Sequence, residues 1–290
     1  MAVQNSLVKK SNARLGLTAY LTQDAVKDQI NKVIGGKDGQ RFISAIISAT
    51  TTNPMLQECS NQSILSGALL GESLKLSPSP QLGQYYLVPY NDKEKGKVAQ
   101  FQLGYKGYIQ LAIRSGYYKK LNVIAIKKGE LISFDPLNEE IEVKLIEDEE
   151  ERETAETIGY YAMFEYTNGF RKAIYWSKTK MTNHAVKYSP GFAADKRKGT
   201  SYTFWSKDFD GMAYKTMLRQ LISKWGIMSI EMQTAFDADY AVINEDGSKN
   251  YVETENADVI TYTEATEVQE EKTEQVANET TDVANALFEN

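Results

Sequence analysis

The sequence predicts an α+β protein, and three observations carry that reading. Apolar residues with a period near 3.6 dominate the start of the chain, segments with period 2 joined by polar turns follow, and one long amphipathic helix comes late. The strand–helix–strand alternation of a parallel sheet is missing. With 290 residues, 42% of them hydrophobic, the chain has the material for one large domain or two small ones around a substantial core.

Val26, Ile30, Val33 and Ile34 fall at helical spacing behind the candidate cap Thr22 and stop at Gly35-Gly36, which predicts a helix over 22–34. Two more are expected over 39–51, ahead of Pro54, and over 60–74. At SPSPQLG the pattern changes: strands over 84–90 and 97–103 flank the polar turn NDKEKG as a hairpin. In its second strand Ala99, Phe101 and Leu103 share one face and Gln100 and Gln102 the other, so one face is core and the other offers amides. The helical period returns at Gly104 with a stripe of Tyr108, Ile109, Ala112 and Ile113, ended by Gly116.

Strands are expected next over 119–126, 130–134 and 140–146. Glu139–Glu156 holds ten acids and two cations and reads as a solvated loop. A hairpin over 158–166 and 170–176 turns at Asn168-Gly169, a dipeptide that tolerates positive φ. Ser177 caps a helix to Tyr188, and a loop carries Lys196, Arg197 and Lys198. Phe209, Met212, Ala213, Thr216, Met217, Gln220 and Leu221 then trace one face of a helix over 207–225, and a short helix over 230–236 ends the body. Residues after about 245, rich in Glu, Thr, Gln and Asn, are expected to be disordered. The organisation predicted is a flexible arm over 1–20, a working domain over 21–245 and an acidic tail over 246–290 that offers a partner-binding segment.

The net charge of −6 averages two unlike parts. Residues 251–290 carry 11 of the 39 acids and only one of the 33 cations, so residues 1–250 are mildly basic with 32 cations against 28 acids. Within them Phe170–Lys224 holds twelve cations and three acids, a field that attracts a polyanion.

Several function classes are disfavoured. Apolar runs such as Ile43–Ala49 are far shorter than the roughly 20 residues of a membrane span, and MAVQNSLVKKSN lacks the apolar centre of a signal peptide. Cys59 is the one cysteine and His184 the one histidine, which excludes an intrachain disulfide and a zinc site of several Cys and His ligands, and suits a reducing cytoplasm. GGKDGQ lacks the spacing of a phosphate-binding P-loop, so ATP-driven strand exchange is not expected. A metal-dependent nuclease built on acids alone remains an alternative, but the acids cluster in loops and tail, away from the aromatic and basic strips.

Two strips can carry binding. In a helix from Gly104, Lys106, Gln110 and Arg114 share a face at i, i+4 and i+8, about 6 Å apart, comparable to the phosphate repeat of a single strand. Gly104 and Gly107 also form a G-x-x-G whose amides can meet a phosphate, although helix entry alone explains such a pair. Lys207, Gly211, Lys215 and Arg219 repeat the row on the later helix. Tyr86, Tyr90, Tyr105, Tyr117, Tyr118, Tyr188 and Trp205 stand around the rows with ring faces suited to stacking bases, at about 1 to 3 kcal/mol each.

Three blocks, LKLSPSPQLGQYYLVPYNDKEKGKVAQFQLGYKGYIQLAIRSGYY, GYYAMFEYTNGFRKAIYWSKTKMTNHAVKYS and FWSKDFDGMAYKTMLRQLISKWG, resemble in order those of the RecT family of phage and prophage single-strand DNA annealing proteins, over about residues 74–226. The resemblance implies ATP-independent binding of single-stranded DNA and annealing of complementary strands without a bond-making or bond-breaking active site or a cofactor. It also implies assembly into rings or filaments, and a curved sheet and long helix bounding a basic groove, as in eukaryotic annealing proteins. A partner exonuclease and the host single-strand binding protein are implied too, in a bacterial cytoplasm. The matched polar positions are Gln84, Tyr86, Tyr90, Gln100, Gln102, Tyr105, Lys106, Arg114 and Tyr117, then His184, Lys187, Tyr188, Trp205, Lys207, Lys215, Arg219 and Lys224. Lys106, Arg114, Lys215 and Arg219 are favoured because their rows emerge independently. Where members often have Ser-Pro-Trp before the long helix, this chain has Thr203-Phe204-Trp205. The alternative within nucleic-acid binding is a passive coat that binds single strands without annealing them.

Overall fold

The computed structural model describes residues 16–92 and 94–251. Four helices open it: α1 Leu17–Leu21, α2 Asp24–Ile34, α3 Gly36–Thr52 and α4 Asn61–Ser73, with a 3-10 turn at Pro54–Glu58 before the last. Strands β1 Tyr85–Asp92 and β2 Gly96–Leu103 form the expected hairpin, in the register Val88 opposite Gln100. Helix α5 Tyr105–Ser115 comes after it and ends at Gly116 in the left-handed conformation, φ 74°.

Strands β3 Tyr118–Lys127, β4 Leu131–Asp135 and β5 Glu140–Val143, helix α6 Glu149–Thr154 and strands β6 Thr157–Tyr166 and β7 Arg171–Ser177 come next. The chain closes with α7 Lys178–Tyr188, α8 Pro190–Lys198, α9 Phe204–Lys207, α10 Phe209–Trp225, α11 Ile230–Ala238 and the strands β8 Ala241–Ile243 and β9 Lys249–Tyr251. All strand pairs are antiparallel, in a four-stranded sheet β1-β2-β8-β9, a three-stranded sheet β3-β6-β7 and the pair β4-β5. The α+β class holds. Among the described residues no helix is long and apolar enough to cross a membrane.

Two cores stand side by side, and α10 belongs to both. The first packs α2, α3 and α4 on the Tyr85, Leu87, Phe101 and Leu103 face of the four-stranded sheet, with Tyr108 of α5 and Phe236 of α11. Helix α4 lies close on that sheet because Gly67 and Gly71 have no side chain where Leu87 and the Tyr85 ring approach, and Ser63 Oγ accepts a hydrogen bond from the Ala99 amide at 2.8 Å. The second core joins Tyr160, Ala162 and Phe164 of β6 to Met181 and Ala185 of α7, Phe192 and Trp205. Leu218 and Ile222 of α10 enter the first core, and Ala213, Met217 and Leu221 enter the second. One helix therefore fixes the two sheets relative to each other.

Several expectations are corrected. Thr22 does not cap α2; its hydroxyl donates back to the Ala19 carbonyl, and Gln23 stands at the cap position. Residues 17–20, read as flexible arm, belong to the helix α1, which buries Leu21; positions 1–15 lie outside the described residues. Part of the acidic loop is α6, capped by Asp148 and docked through Arg152, whose Nε donates at 2.6 Å to the fully buried Glu130 carboxylate. Residues 196–198 end α8 rather than a loop, and that helix starts at the Ser189 cap with Pro190 in the first turn, a pairing that favours helix entry. The helix predicted over 207–225 breaks at Asp208, whose carboxylate accepts from the Gly211 amide and restarts it as α10. Ile113, placed in the buried stripe, is 59% exposed, while Leu111 takes the inward position. Strands β8 and β9 carry order to Tyr251, past the boundary at 245; the rest of the tail, from 252 on, lies outside the described residues.

Candidate nucleic-acid interface

The hydrogen-bonding register settles what each face of the four-stranded sheet offers. Leu87, Phe101 and Leu103 point into the first core; Tyr86, Val88, Tyr90, Gln100 and Gln102 occupy the opposite face. Over that second face runs a groove of about 660 Å³. Its floor is Val88, Tyr90, Gln100 and Gln102; one wall is the α7–α8 junction at His184, Tyr188 and Pro190 with the 202–205 segment, and the other is α10 at Met212, Lys215, Arg219 and Gln220.

The centre of the groove is a charge cluster built on Asp239. This fully buried carboxylate receives Lys215 Nζ at 3.1 Å, Arg219 Nη1 at 2.6 Å, the Tyr108 hydroxyl at 3.0 Å and the Leu103 amide at 2.9 Å. Lys215 is buried and Arg219 half-buried, so neither is the free surface cation that the i, i+4 row suggested. Burial works against the Lys215 charge, but the Asp239 carboxylate and the Tyr240 side chain outweigh it, and the ammonium pKa rises. Arg219 behaves alike, its burial outweighed by Tyr108 and Asp239. Two cations share one carboxylate, which leaves a held positive charge facing the groove.

Tyr240 completes the cluster. It sits in the left-handed region at φ 69°, an uncommon place for a tyrosine, pinned by its amide to the Phe101 carbonyl at 2.9 Å and by Gln100 Nε2 donating to its own carbonyl at 2.6 Å. Its ring lies 4.2 Å from Lys215 Nζ. Gln102 Nε2 in turn donates to Gln100 Oε1 at 2.8 Å, so the two floor amides are oriented rather than free to rotate. Tyr90 contributes the one buried side-chain polar atom without a partner among the described residues, its hydroxyl.

The outer wall hangs on a second buried acid. Asp195 of α8 accepts from Thr200 Oγ1 at 2.7 Å, from the amides of Tyr202 and Thr203 at 3.0 and 2.8 Å, and from the hydroxyls of Thr203 and Ser206 at 2.9 and 2.7 Å. Burial raises its pKa, but these donors prevail and bring it down to about 2. The Asp195 carboxylate thereby shapes the Thr200–Ser206 turn that presents Tyr202 and Trp205 to the groove. His184 lies 5.2 Å from Trp176 and 4.6 Å from Tyr188, ring to ring; burial and the neighbouring Lys187 ammonium pull its pKa below the usual imidazole value, leaving it a neutral packing ring at pH 7. Trp205 packs on Phe192 and Phe209, so only part of its ring reaches the groove. Tyr188, Tyr251 and Tyr202 are the most open rings of the groove, 62%, 58% and 55% exposed.

Of the residues predicted from sequence, Tyr90, Gln100, Gln102, His184, Tyr188, Trp205, Lys215 and Arg219 meet in this groove. Tyr86 is on the same sheet face with its ring 6.0 Å from Phe204, and Lys187 lies over the Tyr188 ring at 5.1 Å. Gln84, Tyr105, Lys106, Arg114, Tyr117, Lys207 and Lys224 do not line it. Gln84 Oε1 accepts from the Ser77 amide, and Tyr105 stacks edge-on against Tyr214. The Arg114 guanidinium donates to the Leu74 carbonyl at 2.6 Å and reaches Lys75, closing the end of α4. The G-x-x-G is explained by packing: a β-carbon on Gly104 or Gly107 would strike the Gly83 or Gln84 carbonyl, and the Gly104 amide already donates to Gln84. Asp239, Tyr240, Tyr202 and Asp195 are absent from the residues that sequence reasoning selects. Only Asp239-Tyr240, an acid and a ring beside the apolar AVI strand, leaves a trace there.

With the geometry in place, three comparisons bear on it. The family model described as the RecT family matches residues 40–276. "Uncharacterized protein YqaK" of Bacillus subtilis (strain 168) is 39% identical over 261 residues, covering 88% of this chain and 83% of that protein. "Protein RecT" of Escherichia coli (strain K12) is 28% identical over 225 residues, covering 76% of this chain and 79% of that protein.

Proposed function

The chain belongs to the RecT family of single-strand annealing proteins of DNA recombination, and on that premise we propose that it holds a DNA strand in the groove over the β1-β2 face and pairs it there with a complement, without ATP. The observation that carries this reading is the coincidence, in one groove, of oriented amides, open rings and two cations kept charged by one carboxylate. Each has its own role. Lys215 and Arg219 neutralise backbone phosphates and release counterions, which makes binding weaken steeply with salt. Tyr188, Tyr202 and Tyr240 stack bases without choosing among them. Gln102, oriented by the buried Gln100, bonds to sugar or base edges, and the outward edges of the bases stay open to the second strand.

The peripheral cations Lys106, Lys187, Lys207 and Lys224 extend the attractive field around the groove. Successive protomers in a ring or filament continue the path, so that the product duplex is held cooperatively. An exonuclease that exposes the strand and a host single-strand binding protein that yields it are the partners this activity calls for, and no cofactor takes part.

The test mixes two complementary fluorescent oligonucleotides with purified protein and no ATP, monitoring pairing and strand length together. Accelerated pairing of intact strands supports the reading. Binding without acceleration makes the protein a passive coat, and shortened strands in magnesium make it a nuclease.

A further inference from the structure

The described chain ends at Tyr251, and Tyr251 itself lines the groove. Strand β9 pairs with β8 so that Ala241 stands opposite Tyr251, at the edge of the sheet whose face is the groove floor. The sequence beyond Tyr251 is strongly acidic: residues 252–290 hold Glu253, Glu255, Asp258, Glu264, Glu267, Glu270, Glu271, Glu274, Glu279, Asp282 and Glu289 against Lys272 alone. They also hold Tyr262, Leu287 and Phe288. A polyanion with apolar side chains is thus rooted at the mouth of a groove that offers held cations and an apolar lining of Val88, Pro89, Pro190, Phe204 and Met212.

We propose that residues 252–290 dock into this groove of their own chain when no nucleic acid occupies it. Reach does not limit the contact, because a segment of this length spans up to about 130 Å when extended and starts at the groove wall. Tethering supplies the rest: an attached segment meets its site at an effective concentration of order millimolar, so a weak contact suffices to fill it. The carboxylates sit at Lys215 and Arg219 where phosphates would, and the apolar side chains cover the apolar lining. Docking also accounts for the charge pattern of the whole chain, since the basic stretch Phe170–Lys224 and the acidic residues 252–290 are complementary parts of one molecule. Competition with single-stranded DNA rests on the reading given above; docking itself does not.

The experiment uses the full-length protein with a photo-reactive p-benzoylphenylalanine replacing Tyr202 on the groove wall, irradiated with and without oligo(dT), and mapped by mass spectrometry. In parallel, anisotropy measures oligo(dT) affinity of the unmodified chain and of a full-length variant with Glu264→Gln, Glu267→Gln, Glu270→Gln, Glu271→Gln, Glu274→Gln and Glu279→Gln. Docking predicts cross-links within one chain to residues 252–290, their disappearance with oligo(dT), and about tenfold tighter DNA binding by the variant at low salt, a gain that vanishes at high salt. Cross-links that avoid residues 252–290, or that join two chains at dimer mass, overturn it. Cross-links to the segment that persist while oligo(dT) is bound would support docking and overturn the assignment of the groove to DNA. Tighter binding by the variant without any such cross-link overturns docking, because diffuse repulsion then accounts for the gain.

Discussion

Helices α5 and α10 carry the same sequence signal and use it in opposite ways. Both place cations at multiples of four residues on the face away from an apolar stripe: Lys106 and Arg114, eight apart with Gln110 between them, in one case, and Lys215 and Arg219, four apart, in the other. On α5 the row stays at the surface, and its second member closes the end of α4 instead of awaiting a ligand. On α10 the row turns inward, because Asp239, 20 residues and more along the chain, supplies a buried carboxylate for both members. The spacing of charges defines a face. Whether that face meets water, a helix end or a distant acid is decided by tertiary packing.

The largest effect that can break this comparison is expected at Asp239. Asp239→Ala leaves the buried Lys215 charge and the half-buried Arg219 charge without their partner, which costs about 3 to 5 kcal/mol. Urea unfolding should show it as a lower midpoint; a midpoint unchanged from the parent would mean that the cations escape to solvent and that the α10 row is no different from that of α5. Next in size are the groove rings. Tyr188→Ala and Tyr202→Ala should each weaken single-strand binding by about 1 to 3 kcal/mol with the fold intact, read by anisotropy; equal affinities would place the strand elsewhere.

Smaller differences sharpen the contrast. Arg114→Ala should lower stability by about 0.5 to 1.5 kcal/mol while leaving the salt dependence of DNA binding alone, since its guanidinium serves the α4 carbonyls. Lys106→Ala should do the reverse, reducing the slope of log affinity against log salt by about 1 without moving the unfolding midpoint. If both variants changed the slope, the α5 row would act as one surface. The smallest effect at neutral pH belongs to Asp195. Its folded pKa of about 2 lies below the unfolded value of about 3.9, so its stabilisation is complete above that value and is lost as pH falls through 2. Protection of the Tyr202 and Thr203 amides from hydrogen exchange should decline over that window first; protection independent of pH down to 2 would show that the turn does not depend on the carboxylate.

Much of the fold was legible because its signals are local. Both hairpins, the Ser177 cap and the Gly116 stop depend on residues within one turn of the chain, and the structure has each of them. The alternation of Gln100 and Gln102 with Phe101 and Leu103 likewise separates floor from core in the sequence itself. Three residues closing a sheet edge, as in β9, leave too short a pattern to read, and α6 hides inside a run of acids because its anchor is the single Arg152 reaching back to Glu130. The site was half legible for the same reason. Rings and cations announce themselves by type, but Asp239 and Asp195 matter through donors that converge from several segments, and no spacing encodes that convergence.

The most direct test of the groove is to photo-cross-link the full-length protein to a single strand carrying 4-thiothymidine and to identify the joined residues by mass spectrometry. The account predicts adducts on the peptides spanning 184–191, 202–205 and 239–240, lost at high salt. Adducts confined to the α5 surface around Lys106 and Gln110 would contradict it, and would return the strand to the row that points outward.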